Sequence, residues 1–221
     1  MLWVYLAAAF ALLFACFHYQ RLRAKGNDLW ASLVYFAAVF CLFLIIPVLI
    51  ILVLSPDPLS FLEQTGMSLG NWRRGIWIVA LGTPLAILSG FVGSRDGQLS
   101  RFYPLSKLAC RSLKSFIAFE GAYLFLYYPA WEFLYRGILF FPMIPAIGLV
   151  PSLALQTLIS TLHHAGHPQS EIVAAFAGGF IFGLIAYFTD SIIYPIFIHA
   201  LIGIFTDTFI YFRVYRSAGQ R

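Results

Sequence analysis

Long apolar runs separated by short polar or proline-containing breaks organise this chain. A helix crossing a bilayer core needs about 20 apolar residues. The first run, 2–19, ends in His18 and the basic stretch Arg21-Leu22-Arg23-Ala24-Lys25. The second, 30–54, contains Pro47, which predicts a kink, and stops at Ser55-Pro56-Asp57-Pro58. A polar connection over 56–72, with Gly66, Gly70 and Asn71, has room for a short interfacial helix. Arg73-Arg74 then lead into a third run, 75–93, closed by Gly93-Ser94-Arg95-Asp96-Gly97. A basic loop follows, carrying Arg101, Lys107, Arg111 and Lys114. From Ser115 to about 162 the chain is apolar apart from Glu120, Glu132 and Arg136. Pro142 and Pro145 predict a turn there, giving spans at 115–141 and 146–165. His167-Pro168-Gln169-Ser170-Glu171 opens a sixth run, 172–188. Thr189-Asp190-Ser191 turns the chain into a seventh, 192–212, which ends in Arg213 and Arg216.

The pattern predicts an all-α, polytopic transmembrane helical bundle of about seven spans. It forms one integral membrane domain over 1–221, with an N-terminal three-span region, 1–114, and a core at 115–212. Composition excludes a soluble domain: 61% of residues are hydrophobic and 10% charged, against about 45–50% and about 25% in soluble proteins. The formal charge of +5 resides in loops, where it marks topology and meets anionic lipid; no basic face suits a nucleic acid. The basic groups after the first, third and seventh runs share one side if the N-terminus is outside, with Arg73-Arg74 the exception. That places the C-terminus in the cytoplasm. The first run lacks a basic leader and an Ala-x-Ala-like site, so it reads as a retained span. Cys16, Cys41 and Cys110 are isolated, which excludes a disulfide framework or a thiolate zinc site; Cys16 and Cys41 read as buried small apolar residues. Gly179 and Gly183, with Gly178 beside them, predict close helix approach in the sixth span.

Three polar centres interrupt the apolar runs. Glu132 and Arg136, spaced i, i+4, share one helix face. An ion pair at membrane depth is costly and marks either mutual charge compensation or a carboxylate tuned for proton transfer. His163 and His164, followed by His167, close the fifth span; the spacing lacks the zinc-protease HExxH arrangement. His199 stands alone in the seventh span and can donate to a developing oxyanion or bond a neighbouring helix. Asp207, two turns on, and Glu171, in the first turn of the sixth span, are secondary candidates for the same cavity, as is His163.

These residues carry a resemblance. The chain is similar to the intramembrane CAAX-protease and bacteriocin-processing (CPBP) family. That family's first motif pairs two glutamates with an arginine four residues after the second. Its second motif ends in a histidine, and its third is a histidine followed four residues later by asparagine. Here the first is Trp131-Glu132-Phe133-Leu134-Tyr135-Arg136-Gly137, a Trp-Glu form resembling a bacterial variant. The second is Ser160-Thr161-Leu162-His163-His164. The third runs from His199 to Gly203, with glycine at the asparagine position. The resemblance covers about 115–212. It implies a glutamic intramembrane endopeptidase in which Glu132 and His164 activate water, His199 meets the oxyanion, and Arg136 holds the glutamate helix. It implies no cofactor. A zinc ion on Glu132, His164 and His199 is the alternative chemistry. Expected partners are membrane lipids and a hydrophobic peptide or membrane-protein substrate, in a bacterial inner membrane. The competing reading is a non-catalytic immunity, chaperone or scaffold protein on the same fold, since Trp131 and Gly203 each replace a polar group. A small transporter is a third class, without the internal repeat usual there.

Overall fold

The computed structural model describes residues 2–216. No strand occurs among them. The chain enters as α1 (Leu2–Leu12), widens into a π-helical turn (Leu13–Phe17), breaks at His18 and resumes as α2 (Tyr19–Arg23). Then α3 (Asp28–Phe40), a π turn (Cys41–Ile45) and α4 (Ile46–Leu54) form one long rod. The kink expected at Pro47 takes this form. Proline has no N–H and its ring crowds the carbonyl four residues back, and a π turn ending two residues earlier relieves the ladder. After α5 (Pro58–Gln64), the interfacial piece expected in the polar connection, come α6 (Trp72–Arg95) and α7 (Gly97–Phe102).

The core follows the same logic. α8 (Leu113–Ala122) passes through a π turn (Tyr123–Tyr127) into α9 (Tyr128–Glu132) and a second π turn (Phe133–Ile138). The first of these turns again ends two residues before a proline, Pro129. α10 (Ile144–Ile147) occupies the Pro142/Pro145 turn, and α11 (Leu149–Leu162), α12 (Gln169–Thr189) and α13 (Ile193–Ile210, with a π turn over Tyr211–Arg216) complete the bundle.

Each of the seven expected spans falls on a helical rod, but among the described residues only five rods are long and apolar enough to cross a membrane: Trp3–Arg23, Asp28–Leu54, Trp72–Arg95, Gln169–Thr189 and Ile193–Arg216. The rod over 113–138 is long enough but interrupted by charge. α11 has 14 residues and at 1.5 Å per residue reaches only about 21 Å. Large side chains along α6, among them Trp77, Leu81, Leu85 and Val92, face outward, as lipid contact requires. Cys16 and Cys41 also face outward, correcting the expectation of burial; Cys110 is the buried one.

Two ends are distinct. At one, the buried Asp28 carboxylate accepts from Lys107 N at 2.8 Å and Leu108 N at 3.3 Å, and the Tyr19 hydroxyl donates to Leu105 O at 2.6 Å. At the other, Asn71 N donates to Thr189 O at 2.7 Å and Ile192 N to Gly66 O at 3.0 Å. Gly70 there has φ +47°, and a Cβ on it would strike the Thr189 carbonyl. Helix approach is glycine-mediated at two seams. Gly179 and Gly183 lie on Thr157, Leu153 and Gln156 of α11, with Gln156 Nε2 donating to Gly179 O at 2.9 Å. Gly75, Gly82 and Gly90 of α6 lie under Tyr194, Ile198 and Phe205 of α13.

Candidate active site

Antiparallel packing of the 113–138 rod on α13 brings Glu132 to His199 across 67 residues of sequence. The His199 Nδ1–H donates to Glu132 Oε1 at 2.6 Å. Arg136 Nε stands 3.2 Å from Glu132 Oε2. Glu132 is 0% exposed and Arg136 2%, whereas the His199 side chain retains 21%. Phe182 of α12 stacks on His199 with ring centroids 5.2 Å apart, and the Arg136 guanidinium lies 5.4 Å over the same ring. The carboxylate is thus enclosed, with one oxygen on each cation-capable partner, while the imidazole has an open edge. A carboxylate bonded to Nδ1 fixes the orientation of the ring.

His164, at the end of α11, is held differently. Its Nδ1–H donates to the Ser160 carbonyl at 2.9 Å. A carbonyl only accepts, so Nδ1 carries the proton and Nε2 of the neutral ring offers a lone pair. The Trp131 indole meets His164 edge-on at 5.2 Å and His199 edge-on at 6.4 Å. It is 2% exposed and contacts both histidines. Glu132, Arg136 and His199 form one cluster, and Trp131 joins His164 to it through its contact with His199.

The secondary candidates separate. His163 is buried among Phe10, Phe14, Phe43 and Trp131, the last with ring centroids 4.6 Å apart, and its ring nitrogens are taken up by the Tyr135 hydroxyl, 2.6 Å from Nδ1, and that of Tyr35, 3.5 Å from Nε2. Asp207 does not share the cavity of His199. Eight residues of helix separate them by about 12 Å, and Asp207, 1% exposed, faces Glu120 of α8 instead. Neither Glu120 oxygen has a donor partner among the described residues, so these two acceptor groups bond only through a shared proton. Glu171 accepts from the Tyr103 hydroxyl at 2.6 Å and from His167 Nδ1–H at 3.0 Å, both on Oε1. Burial, and then the Glu171 charge, push the Tyr103 hydroxyl well above its usual range, which keeps it a donor. Gly203 lies under Tyr128: a Cβ there would collide with the Tyr128 hydroxyl, and the Tyr128 ring meets His199 edge-on at 5.0 Å.

Glu132, His164 and His199 do not form a metal site. Among the described residues no group of three or more His, Cys, Asp or Glu side chains converges to hold an ion. Glu132 Oε1 accepts from His199 Nδ1–H and its Oε2 faces Arg136 Nε at 3.2 Å. The zinc alternative does not fit this donor arrangement.

Tyr103 and Tyr128 carry no signal in the motifs; only the folding of the 96–112 loop onto α12, and of α9 onto α13, brings them in. His167, read in sequence with His163 and His164, meets Glu171 one turn on.

The molecule is an integral membrane protein of helices with a buried Glu–His–Arg cluster at its core. Residues 114–205 match the family model described as "Type II CAAX prenyl endopeptidase Rce1-like". The matched segment contains Glu132, Arg136, His163, His164, Glu171, His199 and Gly203, with Asp207 beyond its end. No curated protein and no solved structure matches the chain.

Proposed function

We propose that this protein is an intramembrane endopeptidase that hydrolyses a peptide bond of a membrane-associated peptide or protein with an activated water. The family match supports hydrolysis. The observation that carries the site assignment is the contrast between the two histidines. His164 Nε2 is a free lone pair, whereas His199 is clamped on a carboxylate at 2.6 Å. His164 takes a proton from water, the water oxygen attacks the carbonyl carbon, and His199 Nε2–H donates to the oxyanion. The C–N bond then breaks and the proton passes to the leaving amine. Glu132 orients His199, and Arg136 fixes Glu132.

Ten basic residues from Arg21 to Arg216 gather at the end that carries the 18–28 and 96–112 loops. Arg74, by contrast, donates to the Phe188 carbonyl at 3.2 Å at the other end. The bias supports a cytoplasmic C-terminus in a bacterial inner membrane.

The test is cleavage of a diverse fluorogenic peptide set by reconstituted protein, with His164→Ala and Glu132→Gln alongside. Loss of cleavage in both folded variants is the expected result. Equal cleavage in His164→Ala removes the base assignment. No cleavage by folded wild-type protein favours the non-catalytic reading, whose supporting observation is the Trp131 ring packed against both histidines.

A further inference from the structure

Glu171 lies outside the motif positions, in the first turn of α12, yet its carboxylate is built into a network with partners from two other segments. Oε1 takes both available donors, the Tyr103 hydroxyl at 2.6 Å and His167 Nδ1–H at 3.0 Å. Oε2 is buried and has no donor among the described residues, although a carboxylate oxygen has two acceptor positions. Beside it, the His167 ring meets the His164 ring edge-on with centroids 5.3 Å apart. Phe102 closes over His167 at 4.8 Å. His164 therefore has an apolar flank, filled by Trp131, and a polar flank, formed by His167 and Glu171. Glu132 turns its two oxygens to His199 and Arg136 instead, Oε1 accepting from His199 and Oε2 lying 3.2 Å from Arg136 Nε.

We infer that Glu171 is the carboxylate that works with His164 on the attacking water, Oε2 accepting one O–H while His164 Nε2 accepts the other. This rests on the hydrolytic reading above. The water oxygen bonds the carbonyl carbon, its proton is held on His164 or Glu171, and the same proton reaches the amine as the C–N bond breaks. Tyr103 and His167 are positioning residues: by occupying Oε1 they leave Oε2 as the working oxygen. A carboxylate supplied by the next helix thus takes the part that Trp131, at its position, cannot.

The experiment compares wild type, Glu171→Gln, Glu171→Ala and His164→Ala as full chains in proteoliposomes, with helicity and monodisperse elution as the fold control. Glu171→Gln is expected to lower kcat by about 100-fold or more with KM little changed, the range of general acid–base effects. Added formate is expected to restore part of the rate in Glu171→Ala and to do nothing for His164→Ala or wild type. A structural role would not respond to formate. If Glu171→Gln fails to fold, Glu171→Asp, which keeps the charge and withdraws the oxygens by one methylene, is read by the same kcat criterion. Wild-type cleavage matched by Glu171→Gln overturns the inference and leaves the hydrolytic reading standing. A slow Glu171→Ala that formate does not accelerate also overturns it. Absence of cleavage by folded wild type on every peptide removes the reading and this inference together.

Discussion

The Glu132–Arg136 contact is a testable ion pair because both partners are enclosed, at 0% and 2% exposure, 3.2 Å apart. At an effective dielectric of about 20, that separation corresponds to about 5 kcal/mol of attraction. Desolvation of the two charges offsets much of this, so the pair's net worth is small, but an orphaned partner is costly. Removing one member of a buried pair typically costs about 3–5 kcal/mol. Glu132→Gln keeps a carbonyl oxygen for the His199 Nδ1–H and strips only the charge, leaving Arg136 unpaired. Arg136→Met keeps the length of the side chain and leaves Glu132 with His199 alone. Each single variant is expected to lose about 3–5 kcal/mol, and the double variant to be no less stable than the worse single, a coupling of about 3 kcal/mol. Denaturant unfolding in mixed micelles, followed by far-UV circular dichroism, reads all four proteins. Additivity of the two losses to within about 0.5 kcal/mol would refute the pair as an energetic unit, and with it the claim that Arg136 acts through Glu132.

Gly203→Ala forces a methyl onto the buried Tyr128 hydroxyl, so the same unfolding assay should show a loss of about 1–3 kcal/mol, typical of overpacking. Tyr128→Phe in the same chain should recover part of it. Gly70→Ala, at φ +47° against the Thr189 carbonyl, should cost about 1–3 kcal/mol and loosen the 66–72 connection, seen as faster amide exchange there. Peptide cleavage by the reconstituted protein should be indifferent to chelator, since Glu132, His164 and His199 do not converge on an ion site; loss of activity on chelation would restore the metal chemistry.

The architecture was largely legible because each feature had a local cause. The apolar runs located every rod, Pro142 and Pro145 marked the α10 turn, and Gly179 with Gly183 announced the α11–α12 contact. Two features resisted. The 14-residue length of α11 was hidden because the apolar character begins before its start, in Ile144–Ile147, and only the positive-φ Gly148 separates the two. The α6–α13 seam was missed because Gly75, Gly82 and Gly90 are spaced by seven and eight residues, two turns apart, and do not form a compact motif. At the site, i, i+4 spacing revealed the Glu132–Arg136 pair, since both residues share one helix. The Glu132–His199 and Tyr103–Glu171 contacts join residues 67 and 68 apart, and no local pattern encodes them. Asp207 was assigned to the wrong neighbour for the same reason: helix periodicity gives its face, but only packing shows that Glu120 is what meets it.

The two histidines show why residue identity alone does not assign roles. Both lie in apolar surroundings and both donate through Nδ1. His199 donates through Nδ1 to the Glu132 carboxylate, which fixes the ring. His164 donates to the neutral Ser160 carbonyl, which fixes the tautomer and leaves Nε2 an acceptor. The Trp131 ring packs edge-on against both histidines, and His164 also meets His167, in the turn before α12, edge-on. That face of His164 needs its own acid–base partner, and Glu171, with one oxygen held and one free, is the carboxylate placed to provide it.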